Sequence, residues 1–180
     1  MNVACIICNA TDNRETVEHI IPQSLGNEYY VLPKGVICFN CNNRIAKVEY
    51  RVVSSSVFMD QRIKYKLIRS SKDHFITDLR NDDLLYFTVK IGFEGLYKSR
   101  RKMWENINWE DVRSYLLNRE LGMMVKERIH PDDLKYKPIP RWIERFRLRN
   151  KHLTLEYAIQ GHKLYVRFQF GTIRVWARLK

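Results

Sequence analysis

Apolar residues along this chain change their spacing several times, and each change predicts an element. In "VEHIIPQSLGN" (residues 17–27), Val17, Ile20 and Ile21 form a short β-prone run that Pro22 and Gly26 break, the pattern of a strand entering a turn. Past Cys41 the period becomes helical, with Ile45, Val48 and Val52 on one face, and a helix is expected to continue over 44–68. The polar stretch "SSKDHFITDLRNDD" predicts a connecting loop. A second helical stretch follows through "DLLYFTVKIGFEGLYKSRRKMWENI", against the preference of Gly92 and Gly95. Asn108 is placed to cap a third helix, "WEDVRSYLLNREL", with acids in its first turn and Gly122 after its end. Pro131, Pro138 and Pro140 mark a loop beyond it.

The C-terminal pattern has period two. "HLTLEYAI", "KLYVRFQF" and "TIRVWARL" each alternate and are separated by Gly161 and Gly171, predicting a three-stranded antiparallel meander. One face would bury Leu153, Leu155, Tyr157, Ile159, Leu164, Val166, Phe168, Phe170, Ile173, Val175 and Leu179. The other face would collect Lys163, Tyr165, Arg167, Arg174, Trp176 and Arg178. Cations interleaved with rings fit a nucleic-acid platform, and they fit an ordinary solvated sheet face, which is the commoner case.

All four cysteines fall in the first 41 residues, as "CIIC" (Cys5, Cys8) and "CFNC" (Cys38, Cys41). Two C-x2-C turns each aim a pair of thiolates at one point, and together they complete a tetrahedron suited to one structural zinc ion per chain. Disulfides are the competing account. The N-terminus carries no secretion signal pattern and no apolar run is long enough to span a membrane, so a reducing, cytoplasmic setting is expected, with free thiols.

Between the cysteine pairs lie Glu18 and His19. Adjacent strand residues point to opposite faces, so a bend at the strand end is needed to bring both to one site. With "EHIIPQSLGN" followed by "GVICFNCNN", the segment resembles the HNH endonuclease family in its zinc-stapled, four-cysteine form. The resemblance covers about residues 1–48 and implies a ββα-metal fold: a hairpin supplying an acid and a histidine, and a helix start supplying a His or Asn. It implies that Glu18 and Asn42 hold a catalytic Mg²⁺ or Mn²⁺ and that His19 is the general base, with Asn43 a weaker candidate ligand than Asn42. The family's middle Asn, which orients the base, falls near Pro33, where no polar side chain stands. The chemistry agrees on its own terms. Phosphodiester hydrolysis near neutral pH needs a base in the imidazole range and a hard cation on the phosphate, and Glu and Asn oxygens suit such a cation. The other histidines, His74, His130, His152 and His162, have no comparable neighbours and are expected at the surface or in turns.

Charge adds a partner. The chain is net +12, yet residues 1–50 hold 4 Lys/Arg against 5 Asp/Glu, net −1, whereas residues 51–180 hold 28 against 15, net +13. A basic excess of this size suits a polyanion, with binding driven by counterion release. The candidate phosphate contacts are two basic groups expected on helices: Lys98, Arg100, Arg101 and Lys102 in "KSRRK", and Arg141, Arg145 and Arg149 at i, i+4 spacing.

The expected architecture is therefore α+β: an N-terminal ββα-metal (HNH) zinc module over residues 1–55, then a basic, nucleic-acid-binding region over 56–180 with helices and the C-terminal three-stranded antiparallel meander. The expected activity is metal-dependent endonucleolytic hydrolysis, with double-stranded DNA as the leading substrate. A non-catalytic zinc-stapled DNA-binding module and an RNA-directed nuclease or toxin are the alternatives. Neither the target sequence nor the oligomeric state is legible.

Overall fold

The computed structural model describes residues 4–11, 16–68, 78–120, 141–147 and 152–180. The chain divides into two compact units, Met1–Phe87 and Thr88–Lys180, with the boundary inside one helix. Among the described residues, no helix is long and apolar enough to cross a membrane.

In the first unit, the run around His19 forms a single antiparallel bridge to Val31 rather than a long hairpin. Ile20 N–H donates to Tyr30 O at 3.1 Å and Leu32 N–H to Glu18 O at 2.8 Å, so His19 and Val31 are a non-hydrogen-bonded pair, the closer-spaced kind. Pro22 then leads into a single 3-10 turn, Gln23–Leu25, which Gly26 ends with φ 84°, a conformation costly for any residue with a Cβ. Helix α1, Phe39–Val53, is capped by Cys38 and buries Ile45, Val48 and Val52, the stripe expected from the sequence, together with Cys41.

The single helix expected over 44–68 is two. Ser55 takes an extended backbone and its hydroxyl donates to Val52 O at 2.7 Å, so the serine run closes α1 before α2, Ser56–Lys64, begins. Arg62, buried on α2, donates to Ser24 O and Val53 O, tying the 3-10 turn and the end of α1 together. Helix α3, Asn81–Ser99, opens with Asp82 and Asp83. Asp83 takes a bidentate bond from Arg51, which raises the guanidinium pKa further above its ordinary value.

In the second unit α3 continues with Lys90 and Glu94 fully buried as an i, i+4 ion pair at 3.0 Å. Helix α4, Arg101–Glu105, and α5, Glu110–Asn118, follow. The N-cap of α5 is Trp109, one residue after the expected Asn108, whose side-chain oxygen still accepts from Glu110 N–H at 2.9 Å. Phe93, Tyr97, Trp104 and Trp109 form a ring cluster with centroids 5.0–5.8 Å apart. Gly122, Pro131, Pro138 and Pro140 lie outside the described residues.

The meander is present as β2, Leu153–Gln160, β3, Lys163–Phe170, and β4, Ile173–Arg178, turned at Gly161 (φ 60°) and Gly171 (φ 58°). A further strand, β1, Arg141–Arg147, pairs antiparallel with β2, so the sheet is four-stranded in the order β1-β2-β3-β4. This replaces the helix expected for Arg141 and Arg145. The segment "RWIERFR" is rich in strand-forming Trp, Ile and Phe, and it pairs along β2. An irregularity between Trp142 and Glu144 absorbs one residue, so Arg141 pairs with Ile159 and Arg145 with Glu156. Arg149 lies outside the described residues.

On the predicted apolar face Leu153, Leu155, Tyr157, Leu164, Val166, Phe168, Phe170 and Leu179 are buried, while Ile173 and Val175 are half-buried and Ile159 is exposed near a strand end. The opposite face is not simply solvated: Glu156, Ala158 and Tyr165 are buried there too.

Candidate metal centre and active-site residues

Each cysteine pair sits on a tight backbone turn. In the first, Asn9 N–H donates to Cys5 O at 2.9 Å, Asn9 takes φ 60°, and Cys5 N–H closes onto Ala10 O at 2.8 Å. In the second, Cys38 is the N-cap of α1, its sulfur accepting from Cys41 N–H. The two turns are tied directly, because Ile6 N–H donates to Val36 O and Cys38 N–H to the Cys5 sulfur at 3.3 Å. The four sulfurs consequently lie within 4.8 Å of one another, with Cys8 and Cys38 Sγ 3.6 Å apart and no disulfide.

Those separations fit a metal: four sulfurs at the zinc–thiolate bond length form a tetrahedron with edges of about 3.8 Å. The four thiols also disturb one another. The Cys41 thiol, donating to Cys5, brings the Cys5 pKa down to about 4, so Cys5 is a thiolate at neutral pH. Cys41 is pushed up by the same contact and by burial, and Cys8 is pushed up chiefly by burial. An all-thiolate donor set at these distances can hold a zinc ion.

Glu18 and His19 keep the alternation of a strand, Glu18 buried at 4% exposure and His19 half-exposed. Their segment is pinned to the one leading into α1: Gly35 N–H donates to Thr16 O at 3.0 Å and the Thr16 hydroxyl to Ile37 O at 2.6 Å. Asn42 lies in the first turn of α1, half-buried, its N–H donating to Cys38 O, while Asn43 is exposed.

A residue that sequence reasoning passed over is Asn27. It is buried, its Nδ2 donates to Ile21 O at 2.5 Å and Tyr30 O at 3.1 Å, and its Oδ1 accepts from Tyr30 N–H at 2.9 Å. Tyr30 O also receives Ile20 N–H, so Asn27 fastens the bridge on which His19 sits. Its signal was the "GN" dipeptide at a turn. Pro33, near the expected position of an orienting Asn, is exposed.

The "KSRRK" cluster is not one helix face. Lys98 lies in the last turn of α3, Arg100 between helices, and Arg101 and Lys102 at the start of α4, all exposed. Arg101 is held by Glu105 at 2.7 Å and lies 4.0 Å from the centroid of the Tyr97 ring. On the sheet, Arg167 pairs with Glu156 and lies over Trp176 at 5.1 Å, and Tyr165 is buried. On that face Arg174 is exposed, and Lys163, Trp176 and Arg178 are half-buried.

Comparison with curated proteins and with solved structures returned no match. Residues 5–54 match the family model described as HNH endonuclease; this N-terminal segment holds all four cysteines with Glu18, His19 and Asn42, and the match suggests a nuclease.

Proposed function

We propose that the protein is a metal-dependent HNH endonuclease that hydrolyses phosphodiester bonds, with double-stranded DNA as its substrate. The observation that carries the reading is the pinning of the Glu18–His19 segment to the stretch that launches α1, where the cysteine cluster and Asn42 lie. Cys5, Cys8, Cys38 and Cys41 would hold one structural zinc ion, fixing the Cys5–Cys8 turn to the start of α1.

Glu18 and Asn42 are the chain's hard oxygen donors for a catalytic Mg²⁺ or Mn²⁺, and a carboxylate as buried as Glu18 is of the kind that pairs with a cation. That ion supplies neutralisation of charge on the scissile phosphate and the leaving oxygen. His19 accepts the proton of the attacking water as its oxygen bonds to phosphorus. The bond to the 3′ oxygen breaks and that oxygen takes a proton from solvent, leaving a 3′ hydroxyl and a 5′ phosphate. The division of labour is between residues 1–55, which cut, and residues 56–180, whose cations, Lys98, Arg100 and Lys102 foremost, with Arg141, Arg145 and Arg149, bind the phosphate backbone.

The test is cleavage of plasmid DNA with Mg²⁺ or Mn²⁺ by the wild type and by His19→Ala. The variant is expected to lose cleavage while keeping zinc and DNA binding, because only the proton acceptor has gone. Undiminished cleavage removes His19 from the role of base, and a wild type that binds DNA but never cuts it is a zinc-stapled binding module instead.

A further inference from the structure

The four sulfurs of the cysteine cluster lie close together but are not equally protected. Cys5 is 0% exposed, and Cys38 and Cys41 are each 5% exposed. Cys8 is half-buried, which makes it the most open of the four. It stands where the first turn surfaces, between buried Ile7 and exposed Asn9, whose φ of 60° carries the chain back toward Ala10. The Cys38 sulfur lies 3.6 Å from the Cys8 sulfur, on the other turn. Cys5, the neighbour of Cys8 within its own C-x2-C pair, is engaged from behind, its sulfur accepting from Cys38 N–H at 3.3 Å.

We propose that Cys8 is the point at which a hydroperoxide attacks this cluster, and that Cys38 completes the oxidation as a disulfide across the two turns. A zinc-bound cysteine is a thiolate, the reactive form, so what separates the four is access, and access belongs to Cys8. Its sulfur attacks the peroxide: an S–O bond forms, the O–O bond breaks, Cys8 becomes a sulfenic acid, and the alkoxide or hydroxide released takes a proton from solvent. The Cys38 thiolate then attacks the Cys8 sulfur. An S–S bond forms, the S–O bond breaks, and the departing hydroxide takes a second proton. Two electrons thus pass from the two sulfurs to one hydroperoxide, which ends as water and an alcohol, or as two waters where it is hydrogen peroxide. Only Cys5 and Cys41 remain as thiolates, too few to close a four-coordinate zinc site. The oxidation is reversible, since a thiol reductant restores all four donors. The inference rests on the zinc reading of the cysteines given above and needs no cleavage.

The experiment uses wild-type, full-length protein loaded with zinc, its metal content checked by elemental analysis. Limiting iodoacetamide followed by peptide mass mapping should place more label on Cys8 than on the other three cysteines together. Hydrogen peroxide in the presence of a zinc-sensitive dye should release the bound metal, one ion for each disulfide formed, and the peptide map should join Cys8 to Cys38. A thiol reductant with fresh zinc should then bring the metal content back to its starting level. Label spread evenly over the four, or falling on a buried cysteine, overturns Cys8 as the point of attack. Any other disulfide overturns Cys38 as its partner, and zinc retained with the thiols intact overturns both assignments. A chain that takes up no zinc at all refutes the zinc reading itself, and the inference falls with it.

Discussion

Asn27 and Tyr30 hold each other twice: the Asn27 side chain accepts from Tyr30 N–H at 2.9 Å and donates back to Tyr30 O at 3.1 Å. The same amide donates to Ile21 O, so one buried side chain satisfies groups on both sides of the loop that follows His19. Asn27→Ala strands Ile21 O and Tyr30 N–H, while Tyr30 O keeps its bond from Ile20 N–H, at a cost of about 1–3 kcal/mol. Thermal unfolding should fall accordingly. Cleavage should fall with it while zinc content stays at the wild-type level, because the cysteine turns make none of these bonds. A variant with normal stability and cleavage would remove Asn27 from its part in placing the His19 bridge.

The sulfur cluster predicts the protons exchanged on metal binding. Cys5, with its pKa near 4, already lacks its proton at neutral pH, whereas Cys8 and Cys41 sit above the ordinary thiol range and give theirs up only to a metal. Zinc added to weakly buffered apoprotein should be taken up one per chain and should release fewer than four protons. Affinity should fall with acid, since protons compete for the thiolates. Stripping the ion should unfold the N-terminal segment, observed as loss of helical circular dichroism. A metal-free protein with an unchanged spectrum would deny the cluster its structural role.

How far the sequence revealed this molecule depends on whether a feature is local and periodic. The cysteine spacing and the stripe Ile45, Val48, Val52 are of that kind, and both stand where expected. So does the meander, whose alternation and turn glycines are short-range signals. Strand β1 was hidden because Arg141, Arg145 and Arg149 mimic a helical repeat. Its conformation is decided by pairing with β2, and the irregularity at Trp142/Glu144 spoils the alternation that would have disclosed it. The outer sheet face was misjudged for a different reason. Alternation identifies two faces but not what covers the second, and Glu156, Ala158 and Tyr165 are buried on it. Asn27 acts through main-chain carbonyls, which the sequence around it does not mark.

Charge neutralisation should separate the members of "KSRRK". Lys98 and Lys102 are exposed, and substituting both with Ala should weaken binding to every DNA sequence alike, flattening log affinity against log salt by about 0.9 for each phosphate no longer neutralised. Arg101 is engaged by Glu105 and the Tyr97 ring, so Arg101→Ala should act mainly on stability, with a smaller change in slope. Equal slopes for Lys98→Ala/Lys102→Ala and the wild type would shift the phosphate-binding role to other cations, Lys163, Arg174 and Arg178 on the sheet among them.

The second unit offers a test of its packing at Gly92, in the middle of α3. A Cβ built there would lie 2.7 Å from Val166 Cγ1 and 2.9 Å from Val166 Cβ and Cγ2, so the helix approaches β3 as closely as a missing side chain allows. The Tyr157 hydroxyl reaches the same point, donating to Gly92 O at 2.8 Å. Gly92→Ala gains about 1 kcal/mol of helix propensity. It also forces helix and strand apart, at a cost of about 1–3 kcal/mol and with the Tyr157 bond stretched, so the net effect should be destabilising. Tyr157→Phe should cost about 1 kcal/mol for the bond alone. Val166→Ala vacates the space the new methyl needs. The double variant Gly92→Ala/Val166→Ala should therefore be more stable than the two single losses sum to, by at least about 0.5 kcal/mol in urea unfolding. Strict additivity would mean that Gly92 and Val166 do not meet, and that the glycine serves something other than the approach of α3 to the sheet.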